Sequence, residues 1–394
     1  MPELTASSQT AGLPSFKNEW SALLECASPA GDPRRLGDLL GTVDWARLLT
    51  LAEDHGVEGH LAAAIHELEG DLVPPEITQT LADRQRAQTF FTLRLNAELF
   101  RLLEQFKANG ISAVAIKGPV LAVQAYGNPS VRGYGDLDLL VRQREIRRAT
   151  ELMITAGYAP AVPLSAIDAG KIPGQYLFSK PDSKLLVELH NDLTLRYFPR
   201  RLPLEEFFAR QICVRVDAHD VPALSLEDEL VLICIHGAKH FWERLMWVAD
   251  VAALVSRQTG IDWERVADSS RAVGAERMLH TGLRLASHLL KAQLPGKVHA
   301  AVQADRMAAR LAEQCGKWMP AAGNVPPGLL ERAAFRLRMR GGLLSAPAYL
   351  FRLSFSPTED DWNAVQQGDR NHLLDALRRP FRLARKYRHR ENKD

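Results

Sequence analysis

The sequence predicts an α/β (α+β) chain in which a mixed sheet is flanked on both sides by helical segments. Short apolar runs, several alternating with polar residues, concentrate between residues 109 and 192. From Phe16 to Ala108, and again from Ser225 onward, apolar residues recur instead at helical spacing. The changeover points carry residues that end or cap helices, Asn109-Gly110 and Ser225. The expected division is a disordered N-terminus (1–15), an N-terminal helical region (16–108), a core (109–224), a C-terminal helical domain (225–377) and a basic tail (378–394). The sheet should hold roughly four to six strands, the usual size, between about residues 109 and 192.

Taken in order, the first residues are rich in Ser, Thr, Ala and Gly, and are expected to be disordered. Asp44 is a good N-cap for a helix whose Trp45, Leu48, Leu49 and Ala52 share one face. A second helix runs from about Val57 to Leu68 and ends at Gly70. Pro74-Pro75 opens a long helix to about Lys107, with Phe91, Leu95, Leu99, Leu102 and Phe106 at spacings of four, four, three and four. That stripe is read as packing on the sheet. Arg144 to Ala156 reads as a helix, and Tyr158 to Val162 as a short strand that Pro160 confines to an edge or bulge. Gln175–Lys180, the turn Pro181-Asp182-Ser183 and Lys184–His190 read as a hairpin. Beyond Ser225 a helix from Leu230 to about His240 and another from Trp242 to Leu254 are expected. Later helices break at Leu294-Pro295-Gly296 and between Met319 and Gly328.

Bulk properties exclude several classes. With 394 residues the chain buries a sizeable core and has room for two or three subdomains. Its 46% hydrophobic and 24% charged content is ordinary for a globular protein, and a net charge of +2 argues neither for nor against a polyanionic partner. The four cysteines, Cys26, Cys213, Cys234 and Cys315, form no CxxC, so reduced thiols are expected rather than a disulfide framework or zinc knuckle. No apolar run reaches the roughly 18 residues of a membrane span. The N-terminus lacks the basic start and apolar centre of a signal peptide, and a cytoplasmic location is expected.

The chemistry concentrates between Ile111 and Val141. An apolar run, Ala113 to Ile116, stops at Lys117-Gly118; a helix-capable segment (Val120 to Tyr126), a turn at Gly127-Asn128-Pro129 and Arg132 follow; a strand then carries Asp136 and Asp138. Alternation puts both aspartates on one face and Leu137 and Leu139 on the other. Carboxylates so close repel unless a cation lies between them, and a hard divalent ion is the usual one. On that argument, Asp136→Asn and Asp138→Asn should leave stability equal or higher.

Lys-Gly, a short helix, an Arg and Gly-Asp-Leu-Asp-Leu-Leu-Val resemble the nucleotidyltransferases of the DNA polymerase β superfamily, and most of all its uncharacterised bacterial branch. The abortive-infection toxin nucleotidyltransferases are more distantly similar. The resemblance implies a polymerase-β-type core and a metal-dependent nucleotidyltransferase, with Mg²⁺ (or Mn²⁺) and an NTP, ATP for preference. It makes Asp136, Asp138 and Glu188 the catalytic and metal-holding carboxylates, Glu188 matching a third acid on a later strand in order, alternation and type. Lys117, Gly118 and Arg132 are then the groups for the triphosphate. His190, on the Glu188 face, is a candidate substrate contact. HGAKHFWERLMWVADVAALV resembles the helical segment after the family's core, which makes His236, Lys239, Trp242, Arg244 and Asp250 candidates for the substrate side. One departure stands out: Pro119-Val120 replaces a small residue and a Ser or Thr, and Pro119 supplies no N–H to a phosphate.

The acceptor is left open between a hydroxyl, a phosphate or a side chain of a peptide, sugar, small molecule or protein, and the oligomeric state is left open too. The tail from Arg378 to Asp394 has eight Lys/Arg against two acids, with Phe381 and Tyr387 available to stack on bases. It supports the weaker alternative of a toxin-like tRNA nucleotidyltransferase. A further alternative is a catalytically degenerate nucleotide- or partner-binding module.

Overall fold

The apolar run after Asn109-Gly110 forms β1 (Ala113–Ile116), buried at all four positions. The aspartate segment gives β2 (Leu137–Val141), the Pro160 segment β3 (Ala159–Pro160), and the expected hairpin β4 (Gln175–Lys180) and β5 (Leu185–His190). A second hairpin, β6 (Ile212–Val216) and β7 (His219–Ala223), follows. In the computed structural model, which describes residues 17–68, 72–164, 167, 174–181, 183, 185–192, 204–319 and 328–340, these seven strands form one sheet in the order β3-β4-β5-β2-β1-β7-β6. It is mixed: β2 runs parallel to β5 and β1 parallel to β7, while the other neighbours are antiparallel. The short Pro160 strand is an edge strand, where a missing N–H costs no ladder bond.

The seventh strand corrects the expected four to six, and the sheet extends past residue 192 because β7 adds to β1. Val214, Val216, Val221 and Ala223 alternate inward, so the period-two signal was present. Pro222 within β7 and the charged Arg215, Asp217 and Asp220 obscured it.

Helices α1 (Lys17–Ala27), α2 (Pro33–Leu40), α3 (Trp45–His55), α4 (Glu58–His66) and α5 (Pro75–Ala108) precede the sheet. Asp44 caps α3 as expected, accepting from the Arg47 N–H at 3.1 Å. After β1 come α6 (Gly118–Leu121), continuing directly into a π-helical turn (Ala122–Tyr126), and after β2 α7 (Ile146–Thr155). Then follow α8 (Leu204–Ala209), α9 (Leu226–Lys239), α10 (Leu245–Arg257), α11 (Trp263–Val273), α12 (Glu276–Leu290), α13 (Gly296–Ala304), α14 (Arg306–Trp318) and α15 (Leu329–Met339). The expected disordered N-terminus, the helix end at Gly70, the tip of the first hairpin at Asp182, the break after Met319 and the basic tail lie outside the described residues.

The two sheet faces have different covers. Leu137, Leu139, Val141, Val187 and Leu189 pack with Leu95, Leu99, Leu102 and Phe106 of α5 and with Ile146, Ala149 and Met153 of α7. The α5 stripe thus lies on the sheet; Phe91, at its N-terminal end, packs against the same core and also lines a cleft. Each such buried side chain contributes about 1.5–3 kcal/mol. On the other face Val114, Ile116 and Leu140 join a second core with Leu230, Ile233, Val248 and Leu254 of α9 and α10. Asp138 and Glu188 are on that second face, one residue along from the leucines and valines of the first. They therefore point toward the helical side, where the packing opens.

Candidate active site

The opening is a cleft of about 1140 Å³, walled by the β2–β5 face, by Gln85, Gln88 and Phe91 of α5, and by the end of α9 with the start of α10. The pairing of β2 with β5 sets Asp138 opposite Glu188 and Leu140 opposite His190. Asp138, Glu188 and His190 each offer a ligand atom within 4.8 Å of the others, a set able to hold a metal ion. Asp136 lies just before β2 rather than inside it, and lines the same cleft.

The carboxylates are not equivalent. Lys117 Nζ stands 2.9 Å from Asp138 Oδ2, and His190 Nε2 stands 2.7 Å from Asp138 Oδ1. Burial alone would raise the Asp138 carboxyl, but the Lys117 charge and the His190 bond hold it far below the usual range. Among the described residues Asp136 has no such contacts. Burial, and then the charge of Asp138, push it up to about 6, against the opposing pull of Lys117. Burial disfavours a charged His190, yet its bonds to Asp138 and Glu188 raise it above its ordinary value. Lys117 is likewise raised: burial opposes its charge, but the charge and hydrogen bond of Asp138, with the charges of Glu188 and Asp136, together outweigh it. Asp138 is thus held between Lys117 on one carboxylate oxygen and His190 on the other.

Two groups that sequence reasoning missed complete this network. Gln175 of β4 donates from Nε2 to Glu188 Oε2, and its Oε1 lies 3.4 Å from Lys239 Nζ, so the amide links the third acid to α9. The register sets Leu177 directly opposite Glu188, which leaves Gln175 two residues away on the same face. Glu229, in the first turn of α9, is fully buried. Its Oε1 accepts from the Lys117 backbone N–H at 3.0 Å, while Oε2 has no partner among the described residues. Burial pushes this carboxyl up to about 7, against the pull of the Lys117 N–H and of the Lys117 and Arg132 charges.

Glu229 holds a strained turn. Lys117 has φ 53° and ψ −136°, a region that non-glycine residues rarely enter, at about 1–3 kcal/mol. The following Gly118, φ 37°, turns the chain into α6. This abrupt exit from β1 aims the Lys117 ammonium back across β2 to Asp138. The π-helical turn immediately downstream is a feature frequent at functional sites.

Other expected contacts fall elsewhere. Arg132 does not face the cleft as a free cation: its Nε and Nη2 bond to Asp250 Oδ1 and Oδ2 at 2.7 and 3.1 Å, both side chains buried. Tyr126 OH donates to the same Asp250, so these groups pin α10 to the segment after β1. Burying either charge without the other would be very costly, and here each is the other's partner. Arg132 Nη1 reaches the Gly118 carbonyl at 3.5 Å, which supports the turn from behind. Trp242 is fully buried, its ring close against Gly237 and Gly282, and is not part of the cleft lining. His236, Lys239 and Arg244 do line the cleft, together with His240 and Trp247.

No curated protein matches the chain. A solved structure, an antigenic nucleotidyltransferase-like protein from Paracoccidioides brasiliensis, is similar at 13% identity and a TM-score of 0.31, over 54% of this chain and 97% of its own. Residues 41–291, which contain the sheet, the acidic face and helices α9 to α12, match the model of the uncharacterised nucleotidyltransferases, and the chain belongs to that family.

Proposed function

We propose that this protein is a metal-dependent nucleotidyltransferase that moves a nucleotidyl group from an NTP, ATP for preference, to an acceptor hydroxyl, phosphate or side chain. The observation that carries the reading is the β2–β5 register, which sets Asp138 beside Glu188 within a cleft that also holds Lys117 and Asp136. Two carboxylates and an imidazole suit a divalent cation, the oxygens favouring Mg²⁺ and the nitrogen tolerating Mn²⁺. Asp138 and Glu188 would hold it, with Asp136 alongside. When bound, the ion neutralises triphosphate charge and eases deprotonation of the attacking hydroxyl.

The chain's own groups have separable tasks. Lys117 supplies a fixed positive charge at the mouth of β1, where a triphosphate must lie to reach the carboxylates. His190 orients Asp138, and Gln175 orients Glu188. Arg132 contributes through the turn it supports, because Asp250 occupies its fork. Gln85 and Gln88 of α5 line the same cleft and would meet an acceptor bound there. The competing reading, a catalytically degenerate module, draws on the Lys117–Asp138 ion pair, which a metal must loosen, and on Pro119.

The test is incubation of the full chain with γ- and α-labelled ATP, Mg²⁺ or Mn²⁺ and a fractionated cell extract. Transfer of the α label with release of pyrophosphate, lost in Asp138→Asn, is expected. ATP binding with no transferred label under any metal would favour the degenerate module; label appearing in tRNA would favour the toxin-like reading.

A further inference from the structure

His236, His240 and Trp247 form one continuous π surface on the cleft wall. The His236 and His240 rings lie 4.8 Å apart, His240 and Trp247 5.0 Å apart, and His236 and Trp247 5.6 Å apart edge to face. All three are half-buried rather than packed away, and all line the same cleft as the carboxylates. Helical spacing explains the arrangement: His236 and His240 are one turn apart on α9, and Trp247 reaches them from the first turn of α10. The reversed turn between the helices, with Phe241 and Trp242 both at positive φ, folds α10 back so that Trp247 meets the histidines.

The surroundings specify the ligand's chemistry. Lys117, Lys239 and Arg244 border the ring surface, and Glu243 is the only acid on this wall of the cleft among the described residues. Both imidazoles are kept neutral near pH 7: burial, then the neighbouring cations, hold His236 below its ordinary value and His240 down to about 3. A neutral ring stacks on another ring without the desolvation that a charged one would demand. Lys239, on the same turn of α9 as the two histidines, also reaches Gln175 and through it Glu188. A planar ring on this wall is therefore joined by a line of donors to the acidic face.

We infer that His236, His240 and Trp247 are the subsite for the base of the nucleoside triphosphate, with its phosphates directed past Lys239 and Lys117 toward Asp138 and Glu188. The inference rests on the proposed use of an NTP and adds which wall holds the base. A phosphate chain alone uses the cations and not the rings; the base uses the rings and not the metal. The two ends of the ligand are thus separable by experiment.

Isothermal titration of the full chain with Mg²⁺-ATP and, separately, with Mg²⁺-tripolyphosphate distinguishes them. Trp247→Ala is expected to weaken ATP by about 5- to 150-fold, the range for loss of one base–aromatic stack, and to leave tripolyphosphate within about 3-fold. Trp247→Phe should restore ATP binding to within a few-fold of wild type, a rescue that a packing defect at an indole-shaped site would not give. His240→Gln, which keeps polarity and removes the ring, provides a second variant should Trp247→Ala fail to fold. Equal weakening of both ligands, or of neither, overturns the base assignment. Failure of the transferase reading looks different: wild-type protein would show ring-dependent ATP binding with no pyrophosphate released.

Discussion

Replacing Glu229 with Gln tests whether the helical side controls the Lys117 turn electrostatically. Gln keeps an oxygen to accept the Lys117 N–H but can never ionise. In the wild-type fold, burial displaces the Glu229 carboxyl from its ordinary 4.5 to about 7, so the folded protein prefers it protonated. Below about pH 4.5 the group is protonated in both folded and unfolded chains and carries no penalty. As pH rises toward 7 the unfolded chain releases the proton first, and stability falls; above about 7 the loss is complete. That displacement corresponds to roughly 3 kcal/mol. Glu229→Gln should therefore match wild type near pH 4 and exceed it by up to about 3 kcal/mol at pH 9. Paired urea unfolding curves at the two pH values measure this, and the titration of Asp136 cancels because both proteins share it. Glu229→Leu, which leaves the Lys117 N–H without its acceptor, should instead lose about 1–3 kcal/mol at every pH. A difference between Glu229→Gln and wild type that does not change with pH would refute the argument.

Asp136→Asn and Asp138→Asn should both abolish transfer but diverge in stability, contrary to the equal treatment that like-charge repulsion alone suggests. Asp136, raised to about 6, loses repulsion and should be equally or more stable as Asn above pH 6. Asp138→Asn strips the partner from a buried Lys117 and should cost about 3–5 kcal/mol; thermal melts at pH 8 separate the two. Gly282→Ala would set a Cβ 2.8 Å from both Cys234 Sγ and the Trp242 ring, and should lower the melting temperature as overpacking of about 1–3 kcal/mol, without changing metal affinity. Arg132→Ala and Asp250→Ala should each destabilise strongly, while the double variant should cost much less than their sum; additive losses would show that the pair is not coupled.

The elements that sequence periodicity made legible are those whose faces see one environment. The α5 stripe, the β4–β5 hairpin and the alternation of β5 each follow from a side chain being either in a core or out of it. Glu188 was readable because its neighbours Val187 and Leu189 had to be inside, which fixed its face, and a parallel β2–β5 pairing then fixed its partner. The β6–β7 hairpin was less legible because β6 is an edge strand with Ile212, Cys213 and Arg215 exposed, so only two of its five residues carry the signal.

Charge pairing was hidden for a different reason. Residue type says that a buried Arg or Asp must be paired but not with what, and here the partners lie 118 residues apart. Arg132 and Asp250 both resembled ligand groups because each is a charge beside the motif; the fold spends them on each other. Glu229 was hidden in the opposite sense, as an ordinary first-turn acid whose depth depends on where α9 meets β1. The same docking makes the site a joint product of two regions. The sheet supplies Asp138 and Glu188, but the turn that aims Lys117 at them is tied through Glu229 to α9 and through Arg132 and Asp250 to α10. A shift of α9 would thus move the Lys117 turn, Lys239 and the two histidines together, so a displacement of that helix changes charge placement and the ring wall at once, whereas a side-chain substitution on the wall changes the rings alone.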